Sequence, residues 1–579
     1  MRVIFLLGEG TRENEKKIRA KYANGPAADH VYEQLKVCWD KKINRLQIHT
    51  PDEGMNTLIN TWTLYQAEVN IMFSRFASFI EVGGRTGLGY RDTSQGSMTV
   101  PHSNPEKCRQ RIVELLRGLV KEGYGLHLFQ PEWFDPEEKG KKPFKSPTVV
   151  PTPKLDDMIH GIEDTCSDDA LWLVASINEY IKETGEFSFL DEIYTYADGG
   201  EGSVYEHMKR ILDFSCRQVG EDGICKGLRA DWNDCLNLNC FSWDPNESFQ
   251  TTENKGEGSK AESLMIAGLF VVTGKDYVAL CKQLAKEALE SKEGEIAGLA
   301  EEDYLTEAER MQQAVDEMNE AVKQHGWDGE WFLRAYDFFG NKIGSDENEE
   351  GKIFIESQGW CTMAGIGLEE GLCDKALDSS KKRLECEHGL VLNNPAYTTY
   401  HVEMGEISSY PEGYKENAGI FCHNNPWVII GETVAGRGND AWSHYTKILP
   451  SYVEEKYQTL HKVEPYVNCQ MVAGKDAAKP GEGKNSWLTG TAAWMWYTVS
   501  EFILGIKPDY EGLLIDPCLP STAKEYEVTR KFRGGEYHIT VKNPSGNQKG
   551  VKQITVDGTP ISGTIIPCSE GKHEVVVEM

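Results

Sequence analysis

Apolar residues recur at helical spacing through most of this chain. Met55, Leu58, Ile59, Trp62, Tyr65, Val69 and Met72 fall every three or four positions, the period of one helix face. Thr50-Pro51-Asp52-Glu53 predicts the start of that helix, with Thr50 as N-cap, Pro51 in the first turn and Glu53 closing a capping box. A second stripe, Ile112, Leu115, Leu116, Leu119 and Val120, follows Asn104-Pro105-Glu106 and stops at Gly123-Tyr124-Gly125. A third, through Leu171, Leu173, Val174, Ile177, Tyr180 and Ile181, opens near Asp168-Asp169. Helical patterns also cover 203–218, 259–291 and 303–324, and the last runs from Ala492 to Ile506. Long aromatic loops are predicted between them, carrying Phe129, Trp133, Phe134, Trp327, Trp331, Trp360, Trp427 and Trp442. With no strand-period segment in between, the pattern predicts a toroid of helical hairpins, an α/α barrel with its loops gathered at one mouth.

The two ends differ from this body. Residues 8–36 are charged and helix-prone, with Glu9, Arg12, Glu13, Glu15, Lys16 and Lys17 close together, a solvated helical lead-in. In the last seventy or so residues the period drops to two: Tyr526, Val528 and Phe532, then Tyr537, Ile539 and Val541 across a Gly534-Gly535 turn. Asp557-Gly558 is a further hairpin signal and Glu574-Val575-Val576-Val577 a closing strand. A small β-sandwich is expected there.

Charge narrows the function classes. The chain of 579 residues carries a formal charge of −30, which repels polyanions, so neither nucleic acid nor an anionic membrane is an expected partner. No run of about 18 apolar residues predicts a membrane span, and the apolar stretch at Ile4–Leu7 is too short for a secretory signal. Fifteen cysteines without a C-x-x-C pair read as reduced, mostly buried thiols of a cytoplasmic protein, with no zinc site.

Two stretches carry candidate chemistry. Ala230-Asp231-Trp232-Asn233-Asp234-Cys235-Leu236-Asn237 holds two carboxylates, an indole and two amides in eight residues. A sugar site needs that set: an aromatic face for C–H bonds, amides for hydroxyls and a carboxyl able to hold a proton. An ordinary capped loop uses the same residue types. Gly83-Gly84-Arg85-Thr86-Gly87-Leu88-Gly89 lacks the Lys-Ser/Thr of a phosphate-binding P-loop and the strand context of a dinucleotide fingerprint. Either it is a plain connection or it brings arginine to an anion or a sugar.

Gly84-Arg85-Thr86-Gly87-Leu88-Gly89-Tyr90-Arg91-Asp92, Trp232-Asn233-Asp234, Tyr414 through His423, Glu464-Pro465-Tyr466-Val467 through Gln470, and Thr489-Gly490-Thr491-Ala492 occur in the order found in glycoside hydrolase family 94. The chain resembles that family over nearly its whole length. The resemblance implies inverting phosphorolysis of a β-linked disaccharide and a mainly α fold. It also implies a helical linker at 1–45, an (α/α)6 barrel at 46–506 and a small β-sandwich at 507–579. The large N-terminal β-sandwich domain usual in the family has no counterpart in the sequence, which puts the family's homodimer in question. Gly96 stands where the family usually carries an acidic residue.

The same resemblance implies the site. Asp234 is the general acid, with Asp231 as its rival and otherwise a structural loop acid. An acid needs a raised pKa, which burial beside Trp232 and repulsion from neighbouring carboxylates would supply. Arg75, Arg85, Asp92 and Trp232 hold the sugar that is cleaved, and Glu406, Tyr410 and Lys415 the leaving sugar. Phosphate falls to Arg85, His423, Gln470, Thr489 and Gly490. The last two open a helix, whose free N–H groups favour an anion. Inorganic phosphate is a co-substrate and no cofactor or metal is implied. N,N′-diacetylchitobiose is the first candidate substrate and cellobiose or another β-glucobiose the second. A plain inverting hydrolase would instead need a second carboxylate to activate water, and a relative that only binds carbohydrate would need neither acid nor anion cradle.

Overall fold

The computed structural model describes residues 3–6, 11–73, 87–131, 165–245, 260–290, 295–296, 298–487 and 489–579. Six helices pack in a closed ring: Tyr90–Thr99, Asp169–Thr184, Leu264–Glu290, Ile355–Met363, Asn425–Val434, and Thr491–Tyr497 continued by a π-helical turn, Thr498–Ile503. Each ring helix carries a partner on its outside. These are Pro105–Arg117, Val204–Arg217, Glu301–His325, Leu372–Arg383, Gly438–Ile448 and, for the last, the amino-terminal Thr63–Phe73.

Ring helices are buried all round, which alters what their sequences look like. Every residue from Ile355 to Thr362 is buried, so no apolar stripe marks that helix. Trp360 and Trp427 therefore lie on helices, and not in the loops to which the sequence pattern assigns them. Together with Trp172 and Trp494 they form one aromatic cluster with ring centroids 5.1–6.4 Å apart, within the range of favourable aromatic pairs. Tyr90–Thr99 is buried and polar at once. Its hydroxyls are satisfied inside the helix: Ser94 Oγ donates to the Tyr90 carbonyl and Ser97 Oγ to that of Thr93, both at 2.8 Å. The Gln95-Gly96 pair thus sits in a buried helix, where a Cβ at Gly96 would meet nothing within 4 Å.

Leu264–Glu290 is long and apolar enough, by length and composition, to cross a membrane, but 78% of its most apolar window is buried against neighbouring helices. It is a core helix.

Three starts differ from their sequence reading. Asp52, not Thr50, caps the first helix, Glu53–Thr57, by accepting from the Met55 N–H at 2.9 Å; Thr50 spends its hydroxyl on Asn56 Oδ1. At Asp169–Thr184 the Asp168 carboxylate caps nothing, because it is drawn to Arg91 and Trp172. Leu46–His49, placed by the pattern at the head of the helical body, is a strand.

That strand joins a six-stranded sheet, pairing antiparallel with Glu525–Phe532. Two hairpins follow, one turning at Asp557-Gly558 as expected and the other one residue before the expected Gly534-Gly535. Phe532 pairs with Gly535 and Val556 with Thr559, leaving the two-residue loops Arg533-Gly534 and Asp557-Gly558, all four residues at positive φ. Such turns match the twist of the strands they join. A three-stranded sheet, Ile506–Pro508, Gly512–Ile515 and Ile565–Pro567, completes this end. The lead-in forms the helices Arg12–Tyr22 and Gly25–Ile43, neither with a buried residue. All fifteen cysteines are free thiols and most are buried.

Candidate active site

The loop from Asp231 to Cys235 is fixed from below by its first residue. Asp231 Oδ1 accepts from the Asn233 N–H at 2.9 Å and Oδ2 from Ser263 Oγ at 2.7 Å. Asn233 Oδ1 in turn accepts from the Cys235 N–H at 3.2 Å. Two successive Asx turns thus curl the chain. Both Asp231 oxygens also accept from the wholly buried Arg334, at 2.6 and 2.8 Å. Burial pushes the Asp231 carboxyl up, but Arg334 and these donors outweigh it and hold the pKa below the ordinary range. The rival carboxylate is therefore an anchor ionised at neutral pH, and Asp234 is the carboxylate presented outward, with 33% of its side chain exposed.

Asp234 does not have the raised pKa expected of it. Burial raises it, but Arg91, His127 and Arg229 prevail and leave it lowered. Arg91 Nη2 lies 3.2 Å from Asp234 Oδ1, His127 Nε2 3.8 Å from Oδ2, and Arg229 Nη2 4.0 Å from Oδ1. The carboxylates that were to repel it are neutralised first: Arg91 also pairs with Asp168 at 3.0 Å and Asp169 at 3.3 Å. Arg91 further donates to the carbonyls of Trp232 and Asp231, so one guanidinium ties the acid loop to two ring helices.

Arg91, His127 and Arg229 are site residues that the sequence reading did not select. Arg91 could have been found at the helix start Tyr90-Arg91-Asp92. For His127 no local signal exists. It is placed by the short pairing of Leu88–Gly89 with Leu128–Phe129 and by its carbonyl accepting from the Tyr90 N–H at 3.0 Å. Its Nδ1 lies 3.0 Å from Asp169 Oδ2.

His127, Cys166 and Asp234 put a nitrogen, a sulfur and an oxygen within 4.8 Å of one another. The two guanidinium groups beside them make the place unsuited to a cation and suited to a neutral or anionic ligand.

Trp232 roofs the acid loop, 9% exposed, its ring centroid 5.5 Å from that of His423 and 5.3 Å from that of Trp427. His423 Nε2 is 2.7 Å from Gln95 Oε1, and the Trp494 indole N–H donates to the same oxygen at 2.8 Å. An oxygen that takes the indole proton is an acceptor, so His423 carries its hydrogen on Nε2. Gln95 lies one turn beyond Arg91, so a single helix positions both the acid and His423.

The other expected phosphate residues lie on neighbouring elements. Gln470 is on the strand Cys469–Val472, which pairs with Ile420–Phe421 just before His423; its Oε1 accepts from Asn485 Nδ2 at 2.9 Å. Thr489 and Gly490 precede the last ring helix, with the Thr489 carbonyl held by Asn70 Nδ2 at 2.6 Å and Thr489 Oγ1 3.0 Å from Thr491 Oγ1. Asp92 is in the first turn of Tyr90–Thr99. Arg75 and Arg85 lie outside the described residues.

The three residues expected to meet the leaving sugar form one group. Tyr410 Oη donates to Glu406 Oε1 at 2.7 Å, and Lys415 Nζ sits 4.9 Å above the Tyr410 ring. The group adjoins the acid loop: Tyr410 Oη is 3.3 Å from Cys235 Sγ, and the Ile407 N–H donates to the Cys235 carbonyl at 2.9 Å. Lys415 has φ +50°, a rare conformation for a side-chain-bearing residue.

Comparison with known proteins shows which family the chain belongs to. The chain is 44% identical over 579 residues to an N,N′-diacetylchitobiose phosphorylase of Vibrio proteolyticus, covering all of itself and 67% of the relative. It is 42% identical over 580 residues to another of Vibrio furnissii, with the same coverage. Over 541 residues it is 31% identical to a solabiose phosphorylase of Paenibacillus borealis, covering 92% of itself and 60% of that protein. The chain thus spans about two thirds of the length of these two phosphorylases. Residues 38–505 match the catalytic domain of the Glycosyl hydrolase 94 superfamily, and with that match, these relatives and the motifs in their order, the chain belongs to glycoside hydrolase family 94.

Proposed function

We propose that this protein cleaves N,N′-diacetylchitobiose with inorganic phosphate, giving N-acetyl-α-glucosamine 1-phosphate and N-acetylglucosamine with inversion. The observation that carries the reading is the setting of Asp234. Among the described residues, the carboxylates that share its loop or its cations are already committed, Asp231 to Arg334 and Asp168 and Asp169 to Arg91. An inverting hydrolase needs a second free carboxylate to activate water; a phosphorylase brings its own anionic nucleophile. Two N,N′-diacetylchitobiose phosphorylases at 44% and 42% identity support the substrate.

In this reading Asp234 protonates the bridging oxygen as a phosphate oxygen attacks the anomeric carbon from the opposite face. Trp232, Asp92, Arg75 and Arg85 hold the sugar being transferred, and Glu406, Tyr410 and Lys415 the one released. His423, with Gln470, Thr489, Gly490 and Arg85, receives the phosphate. The closed ring of six helices, each backed by a partner, is the packing of an (α/α)6 barrel. We assign that barrel to 46–506, the linker to 1–45 and a β-sandwich to 507–579, the strand Leu46–His49 being shared with the last. A cytoplasmic enzyme without cofactor, acting on small sugars and phosphate as a monomer or homodimer, fits the reduced thiols and the charge of −30.

Release of sugar 1-phosphate from N,N′-diacetylchitobiose, cellobiose and laminaribiose, each with and without phosphate, tests the proposal. Phosphate-dependent cleavage of the first, lost in Asp234→Asn, is expected. Cleavage without phosphate would replace the reading by hydrolysis.

A further inference from the structure

The lowered pKa of Asp234 poses a question for any acid mechanism. A carboxyl flanked by two guanidinium groups rests ionised at neutral pH, yet the leaving oxygen needs a proton in every turnover. The proton must be kept elsewhere and must reach Asp234 when the bond breaks.

We infer that His127 keeps it: Asp169, His127 and Asp234 form a line along which a proton passes to the reacting oxygen. The inference rests on the phosphorolytic reading above. Asp169 Oδ2, wholly buried, faces His127 Nδ1 at 3.0 Å, so the ring donates there and turns Nε2 toward Asp234. The gap from Nε2 to Asp234 Oδ2 is 3.8 Å, one small side-chain adjustment longer than a hydrogen bond, as catalytic contacts commonly are before substrate tightens them. The ring keeps 31% exposure, so solvent can return the proton.

Among the described residues, charged and titratable groups face this line from several elements. Asp169 and Arg91 face it from two ring helices, with Asp168, whose carboxyl burial pushes up to about 7, behind Arg91. Arg229 and the Cys166 thiol face it from the strand bridges at 166 and 228–230, the guanidinium donating to Cys166 Sγ at 3.2 Å. Burial disfavours the imidazolium, but Cys166, Asp169 and Asp234 overcome it and raise the His127 pKa well above 6.5. Asp169 is pushed up by burial and pulled down further by His127 and Arg91, so it stays an anion.

The step balances. As the anomeric carbon–oxygen bond breaks and the carbon–phosphate oxygen bond forms, the departing oxygen takes the proton from Asp234 Oδ2. Asp234 takes one from His127 Nε2, and the proton that hydrogen phosphate releases to solvent as its ester forms is matched by one that returns from solvent to His127, so no net proton is consumed. In the reverse direction the same line carries the acceptor hydroxyl's proton away. His127 does not touch the sugar; it is a positioning and proton-holding residue acting through Asp234.

The pH dependence of kcat tests this. In the wild type the alkaline limb should follow the raised pKa of the pair. In His127→Gln only Asp234's own, lowered pKa remains, so the limb should move to lower pH by at least about one unit. Activity lost at pH 8 should climb about tenfold for each unit that pH falls and still be rising at pH 5, with KM for the disaccharide little changed. Asp169→Asn, which keeps the imidazole but frees it, should move the limb part of the way. An even loss at all pH values in both variants would mean a structural role and would overturn the inference.

Histidine-labelled NMR of the wild type gives a readout independent of turnover and of variant folding. His127 should titrate well above 6.5, and lower in Asp234→Asn; a titration at 6.5 in both would equally refute the proposal. Failure of the phosphorolytic reading looks different, for the wild type would then show no phosphate-dependent cleavage whatever His127 does.

Discussion

Asp231 and Asp234 stand three residues apart, and the structure gives them opposite fates when made neutral. Asp231→Asn removes the charge that balances Arg334, a guanidinium with no exposure. Breaking one side of a buried ion pair costs about 3–5 kcal/mol. Here Glu356 remains, its Oε1 3.7 Å from Arg334 Nε, and the amide keeps some of the hydrogen bonds, so the lower end, about 3 kcal/mol, applies. The Asp231 pKa is depressed from 3.8. Its stabilisation is therefore complete above that value and disappears as pH falls through the folded one. Thermal and urea unfolding of the variant against wild type should show the deficit from pH 5 to 8 and its narrowing below about pH 4.

Asp234→Asn should instead unfold within about 1 kcal/mol of wild type, because the carboxylate is one-third exposed. It should lose activity by a factor of about 10²–10⁴. A Asp231→Asn protein as stable as wild type but without activity would refute the assignment and move the acid to Asp231.

Gln95→Leu should unlink His423 and Trp494 and raise KM for phosphate about tenfold, with a smaller effect on the disaccharide, measured in initial rates. Tyr410→Phe removes the hydroxyl held by Glu406 and should raise KM for the free sugar acceptor in synthesis by a similar factor. Gly96→Ala should stabilise by about 1 kcal/mol, since the helix gains a better former and the added methyl meets open space, and a thermal melt should rise by about a degree or two. His444 is buried between Glu432 and Glu385, and burial is outweighed by these partners so that its pKa is raised to about 9. Its stabilisation is full below 6.5 and lost as pH rises through 9, on the order of 3 kcal/mol, and His444→Gln should remove that decline from urea midpoints.

What could be read in the sequence was what is written locally. Asp557-Gly558 names its own turn, and Trp232-Asn233-Asp234 names an acid loop. Lys415, Tyr410 and Glu406 lie within ten residues of one another. Arg91 and His127 matter for a different reason: their partners are 141 residues away for the Trp232 carbonyl and 42 for Asp169, and no periodicity links them. The direction of the Asp234 pKa shift is illegible for the same reason, because it depends on which distant cations the fold brings beside the carboxylate. Trp360 and Trp427 were placed in loops because helices buried on every side lose the stripe by which helices are recognised.

The pairing of Leu46–His49 with Glu525–Phe532 has a consequence for synthesis. These partners are about 480 residues apart in the register Leu46 to Arg530. At about 5–20 residues per second the ribosome needs roughly 25–95 s to deliver the second after the first. For that interval the early strand has an open edge, an invitation to wrong partners, and the two ends of the chain cannot lock together until the last strands emerge. Newly made protein should gain the protease resistance of this sheet abruptly and late, only once residues 525–532 have emerged, and nascent chains stopped before residue 525 should be the ones that chaperones retain.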